Sequence, residues 1–248
     1  MSSDQSFQRA LQRAFTHALA HLSSAETAPV NATTGLTELR ARFGKPLPES
    51  GTDAAEVIDD LVRDAEGSLL GCNGGRFFGW VIGGTLPAAL AADWLVSTWD
   101  QNAAIHACGP AEAVIEEIAG AWLKDLFGLP QTASFAFVTG TQMAHVTCLA
   151  AARHRLLARA GWDVEEHGLT GAPPIRVLTS SERHGSVERA VRMLGLGKRA
   201  ITALPCNSSG RLEPDVLARA LDAAPSQPTI VVLHAGDLNI GAFDPSPS

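Results

Sequence analysis

The chain has 248 residues, of which 46% are apolar and 18% charged; this suffices for one large domain or two small ones and excludes a disordered chain. Lys plus Arg number 19 against 26 Asp plus Glu, a net charge of −7, and no basic run stands out, which excludes a nucleic-acid footprint. No apolar stretch reaches the ~18 residues that span a bilayer, so no membrane partner is expected. Residues Met1 to Ala10 lack the basic-then-apolar layout of a signal peptide. Cys72, Cys108, Cys148 and Cys206 are scattered without CxxC or Cys/His metal spacing, which predicts no metal site and a reducing, cytoplasmic location.

The first half reads as helices. Phe7, Leu11, Phe15, Ala18 and Leu22 recur at steps of three and four and predict an amphipathic helix over Ser6 to Leu22. A connector rich in Pro and Gly follows from Ser23 to Gly51, with a short helix at Leu36 to Phe43. Asp53 reads as an N-cap, paired with Glu56 three residues on, ahead of the stripe Val57, Ile58, Leu61, Val62, Ala65 and Leu69. Gly71 to Gly84 is glycine-rich yet holds Phe77, Phe78 and Trp80, so it either packs on something or lines a pocket. Pro87 to Trp99 reads as helical. Gly109-Pro110 opens another helix, with early acids, a late Lys124 and a stop at Gly128-Leu-Pro130.

The second half changes rhythm. Short apolar runs at Ser134–Val138, Ile175–Thr179, Ala200–Leu204 and Thr229–Leu233 alternate with helical patterns at Thr141–Ala160, Ser186–Leu194 and Pro214–Ala224. That alternation predicts an α/β fold, a parallel sheet covered by helices, with ligands held at the C-terminal strand ends. Three segments would meet there. Gly140, Thr141 and Gln142 form a turn into a helix N-terminus, which is either an ordinary capped helix or an anion site; the GKS or GKT of a P-loop is missing. His184 follows a strand and precedes a helix, where an imidazole can stack on a ligand or act as an acid or base. His234 to Gly241 is the third loop.

These residues carry a resemblance. Arg76-Phe-Phe-Gly-Trp80, Gly109-Pro-Ala-Glu112 with Trp122-Leu-Lys-Asp-Leu-Phe-Gly-Leu-Pro130, Val138-Thr-Gly-Thr-Gln-Met-Ala144 with Ala150-Ala-Ala-Arg153, His184-Gly-Ser-Val-Glu-Arg-Ala190 and Gly241-Ala-Phe-Asp244 occur in one order. Together they resemble the pyridoxal-phosphate-dependent decarboxylases of the aromatic-amino-acid and glutamate group (group II) from about Leu61 to Asp244.

The resemblance implies a partial aspartate-aminotransferase-like large domain (fold type I) over 53–248, behind a helical segment and connector over 1–52. It implies pyridoxal 5′-phosphate as cofactor and release of CO₂ from an L-amino acid. The implied cofactor-binding residues are Gly140, Thr141, Gln142, His184 and Asn239, with His184 stacked on the pyridine ring and catalytic. Phe78 and Trp80 resemble the substrate-pocket segment, and His106 lies where a partner subunit's pocket residue would come from, which implies a homodimer.

Departures accompany it. Gly75 and Arg76 stand where the family often has His-Pro, Gln142-Met143 replaces small or acidic residues, and His145 stands where Asn is common. The family's Schiff-base lysine and pyridine-pairing aspartate have no counterpart among Lys45, Lys124, Lys198 and Asp244. The chain is therefore expected to be the N-terminal part of such a decarboxylase, inactive alone. The alternatives are a non-catalytic truncated paralogue serving as a binding or dimerisation module, and another fold-type-I enzyme such as an aminotransferase or desulfurase.

Overall fold

A computed structural model describes residues 3–245. They form two compact units, one within Met1–Gln101 and one within Asn102–Ser248.

The first unit contains α1 (Ser3–Ser24), α2 (Leu36–Phe43), α3 (Ala54–Asp64) and α4 (Pro87–Trp99). The Asp53 carboxylate caps α3, accepting from the amides of Ala55 and Glu56 at 3.1 and 3.4 Å. The apolar stripe of α1 does not become a buried face: Phe7, Leu11, Phe15 and Leu22 are exposed within the chain. Charge holds α1 to α3 instead. Arg9 pairs with Asp53, Arg13 with Asp59, and His17 Nε2 lies 2.7 Å from Asp59. This packing crosses residues 52 and 53, where the sequence suggested a division. Phe15 adds an edge-to-face contact with Trp94 of α4 at 6.4 Å between ring centres.

The second unit begins with α5 (Pro110–Leu126) and α6 (Thr141–Arg159). The segment between them was expected to hold a strand at Ser134–Val138, and it does not. It runs without a ladder partner among the described residues. A strand needs a neighbour's backbone to pair with, and this segment is held elsewhere. Phe135 instead lies on α5, so close that a Cβ on Gly120 would sit 2.2 Å from its ring. Lys124 fastens the same segment, donating to the carbonyls of Gln131 and Ala133 at 2.9 and 3.3 Å.

There follow α7 (Val164–His167), β1 (Arg176–Ser180), α8 (Gly185–Met193), β2 (Ile201–Leu204), α9 (Pro214–Asp222) and β3 (Thr229–Val232). The one-turn α7 was not anticipated; Asp163 caps it through the amides of Glu165 and Glu166. The sheet is parallel in the order β2-β1-β3, with Val177 opposite Ile201 and Ile230. Central β1 is buried from Val177 to Ser180. Its side chains alternate between faces. Val177 packs in a cluster with Leu149 and Leu157 of α6 and Ala190 and Val191 of α8, whereas Leu178 joins Leu204, Leu212 and the apolar side of α9. The three strands deliver their following loops to one edge. There Asp244, 7% exposed, accepts from the amides of Leu212 and His234 at 2.8 Å each, tying the loops after β2 and β3 together.

Candidate functional site

The turn into α6 needs its glycine. Gly140 has φ 153° and ψ 172°, a region nearly restricted to glycine. Its carbonyl accepts from the amides of Met143 and Ala144. No side chain caps the helix, and its first turn carries no acidic residue. The amides of Thr141 and Gln142 thus face outward without an acceptor among the described residues, at the positive end of a helix dipole.

His184 occupies the N-cap of α8. Its Nδ1 accepts the Ser186 amide at 3.2 Å and lies 2.7 Å from Ser186 Oγ. The two helix ends are joined by Gln142. Its Nε2 donates to the Ser186 carbonyl at 3.1 Å, and its Oε1 accepts Arg189 Nε at 2.9 Å. Gly140, Thr141, Gln142 and His184 are therefore neighbours at the edge where β1 ends.

One turn into α6 stands His145. Its Nδ1 is buried without a hydrogen-bond partner. Burial, aided by the adjacent charge of His184, holds this imidazole below the usual histidine range.

Asn239 lies at the same sheet edge but in a neighbouring cleft of about 580 Å³, lined by Ser181, Cys206, Asn207 and Asp237 among others. Its amide and that of Ile240 donate to Asp237 at 2.8 and 2.9 Å, and these bonds hold the Asp237 carboxyl below its usual range. Cys206 in that cleft has its Sγ 2.9 Å from Ser180 Oγ. Phe78 and Trp80 belong to the first unit, where they are 93% and 78% exposed, and Trp80 has a positive φ of 65°. His106 is exposed in the second unit ahead of α5.

Sequence reasoning missed the part played by Ser186 and Arg189 at this site. The available signal was a serine two residues past a candidate N-cap and a long polar side chain at the facing helix end. It also missed Asp244 as a tie between loops, since nothing local distinguishes a buried carboxylate from an exposed one.

The residues present suit an anionic ring-bearing group. Two open amides, the Arg189 guanidinium and the absence of a first-turn acid favour an anion, and the unpartnered His145 nitrogen marks a polar site with unused capacity. A covalent attachment point is not found among the lysines, each of which is engaged. Lys45 pairs with Asp64, Lys124 binds carbonyls, and Lys198 pairs with Glu188 at 3.3 Å.

The family model described as "Pyridoxal-dependent decarboxylase conserved domain" matches residues 41–247. An aromatic-L-amino-acid decarboxylase of Bacillus atrophaeus is 27% identical over 227 residues, covering 90% of this chain and 45% of the relative. An L-2,4-diaminobutyrate decarboxylase of Rhizobium meliloti (strain 1021) is 29% identical over 203 residues, covering 81% and 39% respectively. Among solved structures, mouse CSAD in apo form superposes with a TM-score of 0.86 at 23% identity, covering 98% of this chain and 50% of that one. Oryza sativa TDC with PLP and tryptamine gives 0.86 at 22% identity, covering 99% and 54%. These two likenesses establish a shared fold. The chain spans about half the length of the relatives it matches.

Proposed function

This chain belongs to the pyridoxal-dependent decarboxylase family, and from that premise we propose that it supplies the phosphate-binding and ring-facing half of a site that removes CO₂ from an L-amino acid. The observation that carries the proposal is the Gln142 bridge, which sets the open N-terminus of α6 beside His184. Pyridoxal phosphate, when bound, provides an electron sink for the pair left behind by the departing carboxylate. The amides of Thr141 and Gln142 would hold its phosphate, and Arg189 would add a positive charge beside them. With that group bound, His184 would stack on its ring and could move a proton through Nε2 at the reacting carbon. Asn239, on the loop after β3, is offered from the neighbouring cleft at the same sheet edge. Phe78 and Trp80, left exposed by the first unit, are available to meet a substrate's apolar surface, and His106 is exposed likewise in the second unit. Aromatic and short cationic side chains are the substrate classes named for the two curated relatives.

The working unit is proposed to be a homodimer in the cytoplasm. Supporting this are exposed apolar side chains on α5, among them Ile115, Trp122 and Leu126, and four free cysteines. Among the described residues no helix is long and apolar enough to cross a membrane.

The experiment is titration of the full chain with pyridoxal phosphate, followed by borohydride reduction and peptide mapping. The expected result is saturable, phosphate-competed binding that leaves Lys45, Lys124 and Lys198 unlabelled. Absence of binding removes the cofactor assignment. Stoichiometric labelling of one of those lysines together with CO₂ release would show that this chain carries the complete chemistry.

A further inference from the structure

We propose that Ser186 is a positioning residue that holds neutral His184 in the tautomer with its proton on Nε2, so that the imidazole presents a donor at the open face of the site. The His184 Nδ1 atom faces two groups of the same residue. The Ser186 backbone N–H, 3.2 Å away, can only donate. The Ser186 hydroxyl, 2.7 Å away, can do either, and in the proposed tautomer it shares the single Nδ1 lone pair with the amide as a donor. A hydrogen on Nδ1 would forfeit the bond from that amide. In neutral imidazole one nitrogen carries the proton and the other accepts, so the proton goes to Nε2.

The geometry is anchored from two directions. Ser186 is 3% exposed, and its carbonyl accepts Gln142 Nε2 at 3.1 Å. Gln142 is oriented in turn by Arg189 Nε at 2.9 Å. The carboxamide therefore has its oxygen and nitrogen assigned by partners of opposite character, and the peptide that follows Ser186 cannot rotate without breaking the bridge. The consequence is a preference in what His184 meets: an acceptor such as a carboxylate oxygen fits its Nε2–H, and an ammonium group does not. This consequence rests on the proposed function, whereas the tautomer itself does not.

The test is two-bond ¹⁵N–¹H correlation spectroscopy on the full chain labelled at its imidazole nitrogens, without cofactor, at a pH where the imidazoles are neutral. His184→Gln identifies the His184 signals by their loss. The expected wild-type pattern has the proton on Nε2. Ser186→Ala removes the hydroxyl but keeps the amide, and should raise the Nδ1–H population about fivefold, the factor one ordinary hydrogen bond is worth. Ser186→Thr should restore the original pattern. A wild-type signal with the proton on Nδ1 overturns the proposal, and so does a folded Ser186→Ala chain with unchanged populations. If Ser186→Ala fails to fold, the wild-type pattern and its retention in Ser186→Thr decide the matter. A chain that binds no pyridoxal phosphate but shows the Nε2–H pattern removes the functional assignment and leaves this one standing.

Discussion

Gln142 and Ser186 are 44 positions apart in sequence, and a hydrogen bond of 3.1 Å joins the side chain of one to the carbonyl of the other. That bond sets the N-terminal ends of α6 and α8 against each other. It converts two separate loop-to-helix turns into one site.

Replacing Gln142 separates stability from ligand binding. Gln142→Leu leaves the Ser186 carbonyl without its donor, and the expected loss is about 1–3 kcal/mol, read by chemical denaturation. Gln142→Glu retains an acceptor for Arg189 but places a negative charge at the phosphate position. It should weaken pyridoxal phosphate binding more than Gln142→Leu does, while costing less stability. Equal binding by both variants would place the phosphate elsewhere.

A methyl group at Gly120 has no room, because Phe135 lies 2.2 Å from where it would go. Gly120→Ala should destabilise the second unit by about 1–3 kcal/mol through overpacking. Combining it with Phe135→Ala should cost less than the sum of the two single changes, since the removed ring makes space for the added carbon. Strict additivity in a denaturation cycle would argue that α5 and the 131–135 segment are not in contact.

The pairing of α1 with α3 should weaken in acid. Hydrogen bonds from Arg13, then His17, hold the Asp59 carboxyl below its usual range. The unfolded chain then takes up this proton at a higher pH than the folded one does. The associated stability is present above the unfolded value of about 3.9 and is lost as pH falls through the folded value. A melting temperature that drops in this window, and drops less in Asp59→Asn, is the expected observation.

His145 has the opposite charge type and a shift in the same direction. Burial, then the His184 charge, lowers its proton affinity in the folded state. The unfolded chain binds this proton first, near pH 6.5, so stability should decline as pH falls from there toward the folded value. His145→Phe should flatten that part of the stability profile, and an unchanged profile would show that the ring is not buried.

Asp244→Ala would strand the amides of Leu212 and His234, which its carboxylate accepts at 2.8 Å each. The expected loss is about 2–3 kcal/mol, with faster hydrogen exchange at those two amides. Asp244→Asn retains one carbonyl-type acceptor and should fall between.

Local pattern determined much of this protein. The helices Leu36–Phe43 and Pro87–Trp99 and the cap at Asp53 follow from spacing and capping chemistry, which act over a few residues. The alternation of β1, α8, β2, α9 and β3 was legible for the same reason, as was the family, whose motifs are read in order along the chain. The placement of Gly140 and His184 at helix starts was legible because each follows an apolar run and precedes a helical pattern.

Tertiary structure decided the rest. Ser134–Val138 has the composition of a strand, but a strand also needs a paired neighbour, and contacts of Phe135 and Lys124 hold this segment on α5 instead. Phe7 to Leu22 has the period of a buried face, but α1 meets α3 through Arg9, Arg13 and His17 rather than through that stripe. Gln142, Ser186 and Arg189 look like ordinary polar residues until two helices bring them within hydrogen-bond distance. Sequence records what a side chain is able to bond; its partner is chosen by distances between residues far apart in the chain, which exist only once the sheet and its covering helices have formed.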